Sequence, residues 1–365
     1  MKEIKNIIRQ FDQTPENEKL ALATVVRVEG SSYRRMGARM LVSENGTWVG
    51  GISGGCLEGD ALKRSRMAIL KGKASIITYD TTIDDDHQIG VGLGCNGIID
   101  VLFTPIDRSE KEHPIQLLKK IQAGKRKVSK LVKITKAPET AMLGKLVEFT
   151  GEESLSFLKD YTNIKGLSDR IAALEKSKNI LLSEELTLFV EVLPPAYHLI
   201  LLGHQYDLYP LIRQTLELGW DITVVAPENK VNPMDGVTLI KREDFDTLSF
   251  DDYSAVVLMS HSLQTDKENL RKLAKKKLRY IGMLGPRVRS ERIWKELAEE
   301  GDAVPADTMA NIYAPVGLEI GANTPDEIAL SMLAEIKGVL AAKNLAHLRD
   351  KKQPIHERDQ PMKFD

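Results

Sequence analysis

The chain holds two cysteines, and glycine surrounds both. Cys56 lies in Gly50-Gly51-Ile52-Ser53-Gly54-Gly55-Cys56-Leu57-Glu58-Gly59-Asp60, between a strand-like run and a helix-like one. Cys95 lies in Gly90-Val91-Gly92-Leu93-Gly94-Cys95-Asn96-Gly97, directly before the strand-like Ile98 to Phe103. Free cysteines mostly serve as small buried hydrophobes. Glycine flanks argue for another use, because they remove the side chains that would shield sulfur and let backbone approach a ligand closely. A thiolate is what a soft metal or a sulfur-transfer step requires. Cys56 stands near the start of the helical pattern Leu57 to Leu70, where backbone donors and the positive end of the helix dipole favour that species. An alternative stays open in which Ser53 caps the helix and Cys56 faces the core. Cys56 and Cys95 are the candidate metal ligands, with Gly54, Gly55 and Gly94 lining the same pocket.

Other residues carry weaker signals. Arg34, Arg35 and Arg39 fall within six positions and could clamp a phosphate or pterin-type acceptor; a solvated loop is the competing reading. Asp84-Asp85-Asp86-His87 resembles a metal site on paper. Three consecutive carboxylates cannot all face one ion, so a solvated flap is the better reading. His261 follows a strand's C-terminal end and is a candidate acid, base or cofactor contact, as Gly203 and Gly285 are at two other strand ends.

The surrounding pattern supplies elements to position these groups. Ile4, Ile7, Ile8 and Phe11 mark a helix. Ala21 to Val28 and Ala38 to Val42 read as strands, and Asn45-Gly46 as a tight hairpin turn returning through Thr47 to Val49. Pro194-Pro195 is the best candidate domain boundary. Beyond it, strands His198 to Leu202, Ile222 to Val225, Ala255 to Met259 and Tyr280 to Leu284 alternate with helical runs. That alternation predicts a doubly wound α/β sheet. Only Gly203 of a dinucleotide fingerprint is present, with Gln205 and Leu208 in the places of the other two glycines, so NAD(P) binding is doubtful. Thr324-Pro325-Asp326-Glu327 is a capping box opening a last helix.

The expected organisation is α/β. A mixed α+β domain over residues 1–193 carries both cysteine turns, a Rossmann-like domain spans 196–345, and a charged tail over 349–365 is disordered. With 365 residues, 42% hydrophobic and 28% charged, the chain matches a globular protein of two domains. A net charge of -1 provides no broad field for nucleic acid or an anionic membrane. No apolar run is long enough to span a bilayer, and no signal sequence opens the chain, so a cytoplasmic location is expected.

Several long motifs in order resemble the xanthine dehydrogenase accessory proteins of the XdhC and CoxI family. In the first domain these are Ala21 to Val26, Gly37-Ala38-Arg39-Met40, Ser53 to Gly59 and Gly92 to Gly97. In the second they are Leu218-Gly219-Trp220, Ser260-His261 with Asp266, Tyr280 to Gly285, and Pro315 to Ala322 running into the capping box. The resemblance implies a Rossmann-like second domain and an accessory role. Such a protein would hold the molybdenum cofactor (molybdopterin), help it acquire or keep its terminal sulfur, and deliver it to an apo molybdenum hydroxylase of the xanthine dehydrogenase type. A cysteine desulfurase is a further implied partner and a homodimer the implied assembly. On this reading Cys56 and Cys95 meet the metal or its sulfur, while Arg39 and the glycine amides hold the pterin phosphate. The chain departs from the family's Gly-Ala-Gly-His-type turn, carrying Gly203-His204-Gln205-Tyr206-Asp207.

Overall fold

The computed structural model describes residues 1–82, 97–124, 126–353, 355 and 360–364. The chain divides into two compact units, an N-terminal one of residues 3–195 with 353–365 and a C-terminal one of residues 196–352 with 1–2.

In the N-terminal unit, α1 (Lys2–Gln13) buries Ile4, Ile7 and Phe11. The strands β1 (Leu20–Gly30), β2 (Arg39–Ser43) and β3 (Trp48–Gly50) are followed by α2 (Glu58–Lys71), β4 (Ser75–Asp80) and β5 (Gly97–Ile106). They form an antiparallel sheet in the order β3-β2-β1-β5-β4. The hairpin between β2 and β3 turns at Asn45-Gly46 as expected, with a positive φ at only one of the two residues. Val42 pairs with Trp48 and Ser43 N–H donates to the Thr47 carbonyl, and Gly46 but not Asn45 takes a positive φ. The loop therefore has three residues, closed by a type of turn in which one left-handed glycine suffices.

Side chains alternate along each strand, so the sheet has two different faces. One, with Ala23, Val25, Met40, Val101 and Phe103, packs beneath Leu57, Ala61 and Ala68 of the α2 region. A buried hydrogen bond ties this helix to the sheet, the Tyr79 hydroxyl of β4 donating to Asp60 Oδ2 of α2 at 2.9 Å. The other face meets a second sheet of β6 (Ser129–Lys136), β7 (Leu146–Glu148), β8 (Lys178–Leu181) and β9 (Thr187–Leu193), reached through α3 (Pro114–Ala123) and α4 (Ile164–Ala172). Between the sheets lie Val26, Leu102 and Phe189. The outer face of the second sheet buries Val132, Ile134, Ile180, Leu188 and Val190 against Leu167 and Ile171 of α4. The unit is thus helix, sheet, sheet, helix.

The inter-sheet layer is partly polar. Arg39 donates to Glu191 Oε2 at 2.5 Å and to the Gly37 carbonyl at 2.7 Å, with both ion-pair side chains about 5% exposed or less. Lys133 Nζ donates to Thr24 Oγ1 at 3.3 Å, and Asn179 Nδ2 to the Val26 carbonyl at 2.9 Å. Gly37, at φ 88°, lies so near that a methyl group there would fall 2.6 Å from Glu191 Oε1.

The C-terminal unit alternates as its sequence pattern requires. It runs β10 (His198–Leu202), α5 (Leu208–Glu217), β11 (Asp221–Ala226), β12 (Val237–Lys241), β13 (Ser254–Leu258), α6 (Leu263–Leu273) and β14 (Ile281–Met283). Then come α7 (Arg287–Glu299), the single turn α8 (Ala306–Met309), β15 (Ile312–Tyr313) and α9 (Pro325–Leu340). All neighbouring strands are parallel, in the order β12-β11-β10-β13-β14-β15. Counted within the unit this is 3-2-1-4-5-6, the Rossmann order. The strands read as unbroken apolar runs because both faces are covered. Leu211 and Ile212 of α5 with Met332 and Ile336 of α9 cover one face, and Leu270 of α6 with Ile293 and Leu297 of α7 cover the other. Glu327 N–H donates to Thr324 Oγ1 and Thr324 N–H to Glu327 Oε2, completing the capping box.

The tail departs from the expected disorder. Met362–Lys363 forms β16, parallel to β8 in the N-terminal unit, with Met362 opposite Ile180 and Lys363 opposite Leu181. Among the described residues no helix is long and apolar enough to cross a membrane.

Candidate functional site

The first cysteine turn is built by Gly50, Ser53 and Glu58. Gly50 leaves β3 at φ 84°, where an added methyl would lie 2.3 Å from the Arg39 carbonyl oxygen, so the position admits glycine alone. The Glu58 carboxylate then accepts from the backbone N–H groups of Ile52 at 3.2 Å and Ser53 at 2.8 Å, and from the Ser53 hydroxyl. Ser53 Oγ in turn accepts from Gly55 N–H at 3.1 Å and Leu57 N–H at 3.0 Å. Ile52 and Leu57 are fully buried and pin both ends of the turn. Burial pushes Glu58 up, and the hydrogen bonds from Ser53 and the backbone outweigh it, leaving the carboxyl below its usual range.

Ser53 is therefore a staple and not the helix cap, since Leu57 is the N-cap residue and carries no side-chain cap bond. Cys56, one residue earlier, is a half-buried free thiol packed at the edge of the core under α2. Gly54 and Gly55 beside it are exposed, and no atom lies within 4 Å of where a Gly55 side chain would begin. The Tyr33 ring lies along Gly54, 3.4 Å from the place of an added methyl, and is 72% exposed.

The Glu58→Ala variant is expected to lose about 1–3 kcal/mol, the cost of orphaning partly buried donors. Thermal unfolding and faster labelling of Cys56 by a thiol reagent would show it. The lowered pKa sets the sign of the pH dependence. The contribution of Glu58 is present above its ordinary value of 4.5 and is lost as pH falls through the lower folded value.

Strand directions gather the relevant loops. Gly30 pairs with Gly97, and Asp80 with Ile98, so β1 ends, β4 ends and β5 begins at one margin of the sheet. β3 runs parallel to β1 in direction, so the Cys56 turn leaves toward that margin too. The second cysteine turn, with Gly94 and Cys95, and the run Asp84-Asp85-Asp86-His87 lie outside the described residues. Asp80 and Gly97, on either side of that stretch in sequence, lie at the margin toward which β3 runs.

The arginine clamp is corrected. Arg39 is buried between the sheets on Glu191, so its guanidinium is not available to the turn as a phosphate ligand, and Arg34 is bonded to Glu3. Arginine in a glycine-rich segment signalled an anion site, but the anion is an internal carboxylate 152 positions away in sequence.

In the C-terminal unit, Gly203, His261 and Gly285 follow β10, β13 and β14 at the carboxyl ends of the strands. β10 and β13 are neighbours whose connections leave in opposite directions, the usual ligand crevice of such sheets. Gly203 is needed for strand contact, because a methyl there would fall 2.4 Å from the Met259 carbonyl oxygen. We expect Gly203→Ala to destabilise this unit by about 1–3 kcal/mol through overpacking, measurable by urea unfolding. His261 holds φ 59° and its Nε2 lies 2.7 Å from Asp207 Oδ2. Ser260 N–H and Oγ donate to the buried Asp266, which also accepts from Arg289. Gly285, at φ 123°, leaves room for the Arg289 stem.

Sequence reading missed Asp207 as the partner of His261; its position just before an apolar helical run was the available signal. Asp207 also places a carboxylate at the N-cap of α5, where a dinucleotide pyrophosphate would sit. Among the described residues no group of three His, Cys, Asp or Glu is arranged to hold a metal ion.

A Rossmann-ordered unit joined to a two-sheet unit that displays a stapled glycine-cysteine turn defines a class of two-domain α/β proteins. The model described as the XdhC Rossmann domain matches residues 199–336, and that of the XdhC and CoxI family matches residues 14–80. The chain belongs to the XdhC and CoxI family. It is 28% identical over 333 residues to a probable xanthine dehydrogenase subunit from Bacillus subtilis, covering 88% of this chain and 93% of that protein. The uncharacterized protein YqeB of Escherichia coli is 31% identical over 159 residues, 41% of this chain and 29% of that one. A crystal structure described as a xanthine dehydrogenase from Bacillus halodurans superposes with a TM-score of 0.69 at 27% identity, covering 94% of this chain and 97% of that one.

Proposed function

We propose that this chain is a maturation factor that carries molybdopterin cofactor at the Cys56 turn and hands it to an apo molybdenum hydroxylase of the xanthine dehydrogenase type. The observation that carries the proposal is the turn itself, with a free thiol beside two exposed glycines and an open aromatic face. Family membership and the description of the Bacillus subtilis relative supply the class of client. The residues present fit part of such a cargo. The sulfur of Cys56 is a soft donor for molybdenum or its terminal sulfur, and the Tyr33 ring offers a stacking surface for a flat heterocycle. The phosphate must be held by groups other than Arg39, and the turn's backbone N–H groups beyond those bound to Glu58, Ser53 and the Arg39 carbonyl, namely those of Gly54 and Cys56, are the nearest candidates.

In this role the cargo brings its own redox chemistry, while the protein binds, orients and shields it. The same proposal assigns Cys95 as a second sulfur donor to the cargo. A cysteine desulfurase as sulfur donor and a homodimer as the working assembly belong to the same proposal, as does a cytoplasmic location. The chain purified from cells that make the cofactor is expected to contain molybdopterin, measured by its oxidised fluorescent product and by molybdenum per chain. Cys56→Ala should retain at most a tenth of it at unchanged circular dichroism, and Cys95→Ala should also fall. Equal occupancy in all three proteins would remove the cysteine roles, and no cofactor in any would overturn the reading. Calorimetric titration with NAD and NADP addresses an oxidoreductase built on the C-terminal unit, and tight binding would favour that function instead.

A further inference from the structure

We propose that the margin of β8 away from β9 is a docking edge for an extended segment of a partner protein, one with an aliphatic residue followed two positions later by an aromatic one. The chain's own Met362-Lys363-Phe364 now sits there as a tethered occupant.

The geometry is that of strand addition. Met362 and Lys363 lie in parallel register with Ile180 and Leu181, and Phe364 N–H donates to the Leu181 carbonyl at 3.0 Å. Main-chain bonds of this kind accept any sequence, so side-chain pockets must supply selectivity. Two features do so. The Phe364 ring packs at the margin of the core under α4, in van der Waals reach of Gly166. The Arg170 guanidinium lies 5.2 Å from the ring centroid and its Nη1 donates to the Lys363 carbonyl at 2.9 Å. Arg170 thus reads an aromatic ring and the carbonyl before it together.

The occupant is built to be displaced. Its register covers two of the four β8 residues, Ile180 and Leu181. A two-residue ladder with one half-buried aromatic belongs to the low-stability end of a fold. A partner segment spanning the whole of β8 would form a longer ladder and keep the same aromatic contact. An edge strand left bare is an aggregation liability, and a tethered occupant removes it until the partner arrives.

The probe is a fluorescein-labelled peptide, Gln-Pro-Met-Lys-Phe-Asp, the sequence of residues 360–365. Its anisotropy is followed with the full chain, with a chain ending at residue 352, and with full-length Phe364→Ala and Arg170→Ala. The shortened chain and Phe364→Ala should bind the peptide at least tenfold more tightly than the full chain, whose own segment competes. Arg170→Ala introduced into the Phe364→Ala chain should weaken binding at least fivefold. Should the shortened chain unfold, the Phe364→Ala comparison decides alone. Equal binding by full-length and Phe364→Ala proteins, or none to either, would overturn the proposal. A concentration-dependent dimer of the full chain that Phe364→Ala abolishes would also overturn it, by assigning the edge to a second copy.

Discussion

Glu191→Ala should lower the stability of the N-terminal unit by about 3–5 kcal/mol, the range found when one partner of a buried ion pair is removed. Glu191 is the anion in a layer that also encloses Arg39 and Lys133, all three nearly without solvent contact. Its removal leaves two cations facing each other with no counter-charge. Arg39→Ala should be milder, since Glu191 would keep Lys133 as a neighbour, and the order of the two losses is the diagnostic feature. Chemical denaturation followed by circular dichroism measures both. A loss under about 1 kcal/mol for Glu191→Ala would show that the layer admits water.

Stability should rise with pH between about 8 and 10.5, and Lys133 is the cause. Burial first, and Arg39 second, push this lysine down to about 8 from an ordinary 10.5, against the pull of Glu191. Below pH 8 both the native and the unfolded chain carry its proton, and the native state bears the cost of a buried charge. Between 8 and 10.5 the native state has released the proton while the unfolded chain still binds it, so stability increases with pH. The full effect is about 3 kcal/mol by the pKa conversion. Lys133→Met isolates the contribution. Its stability should equal or exceed that of the parent at about pH 7, and the difference between the two should shrink as pH climbs past about 10.

Local chemistry made much of the fold legible. Unbroken apolar runs and period-3.6 patterns found four of the six strands of the C-terminal unit and its longer helices, and Thr324 with Glu327 marked the last helix as the structure has it. The short edge strand β12, with Leu239 exposed, escaped because it lacks a buried face to impose a pattern. The tail escaped for a related reason. Its charge and proline predict a solvated chain, while its order comes from a groove formed by Gly166, Arg170, Ile180 and Leu181. At the first cysteine turn, the turn itself was legible because Gly50 and Gly55 take backbone angles that favour glycine. Arg39 was misread because burial and the identity of a distant partner leave no local trace. The role of Ser53 fell between the two, since its bonds to Gly55 and Leu57 are local but resemble a helix cap in sequence.

The hydrogen bond from Tyr79 to Asp60 is also a mechanical link. Tyr79 stands on the strand that precedes one thiol-bearing stretch, and Asp60 in the first turn of the helix that follows the other. One strut therefore fastens that helix to β4. Any rocking of α2 away from the sheet must either break that strut or drag β4 with it, so the helix that carries the Cys56 turn and the edge of the sheet would move in step.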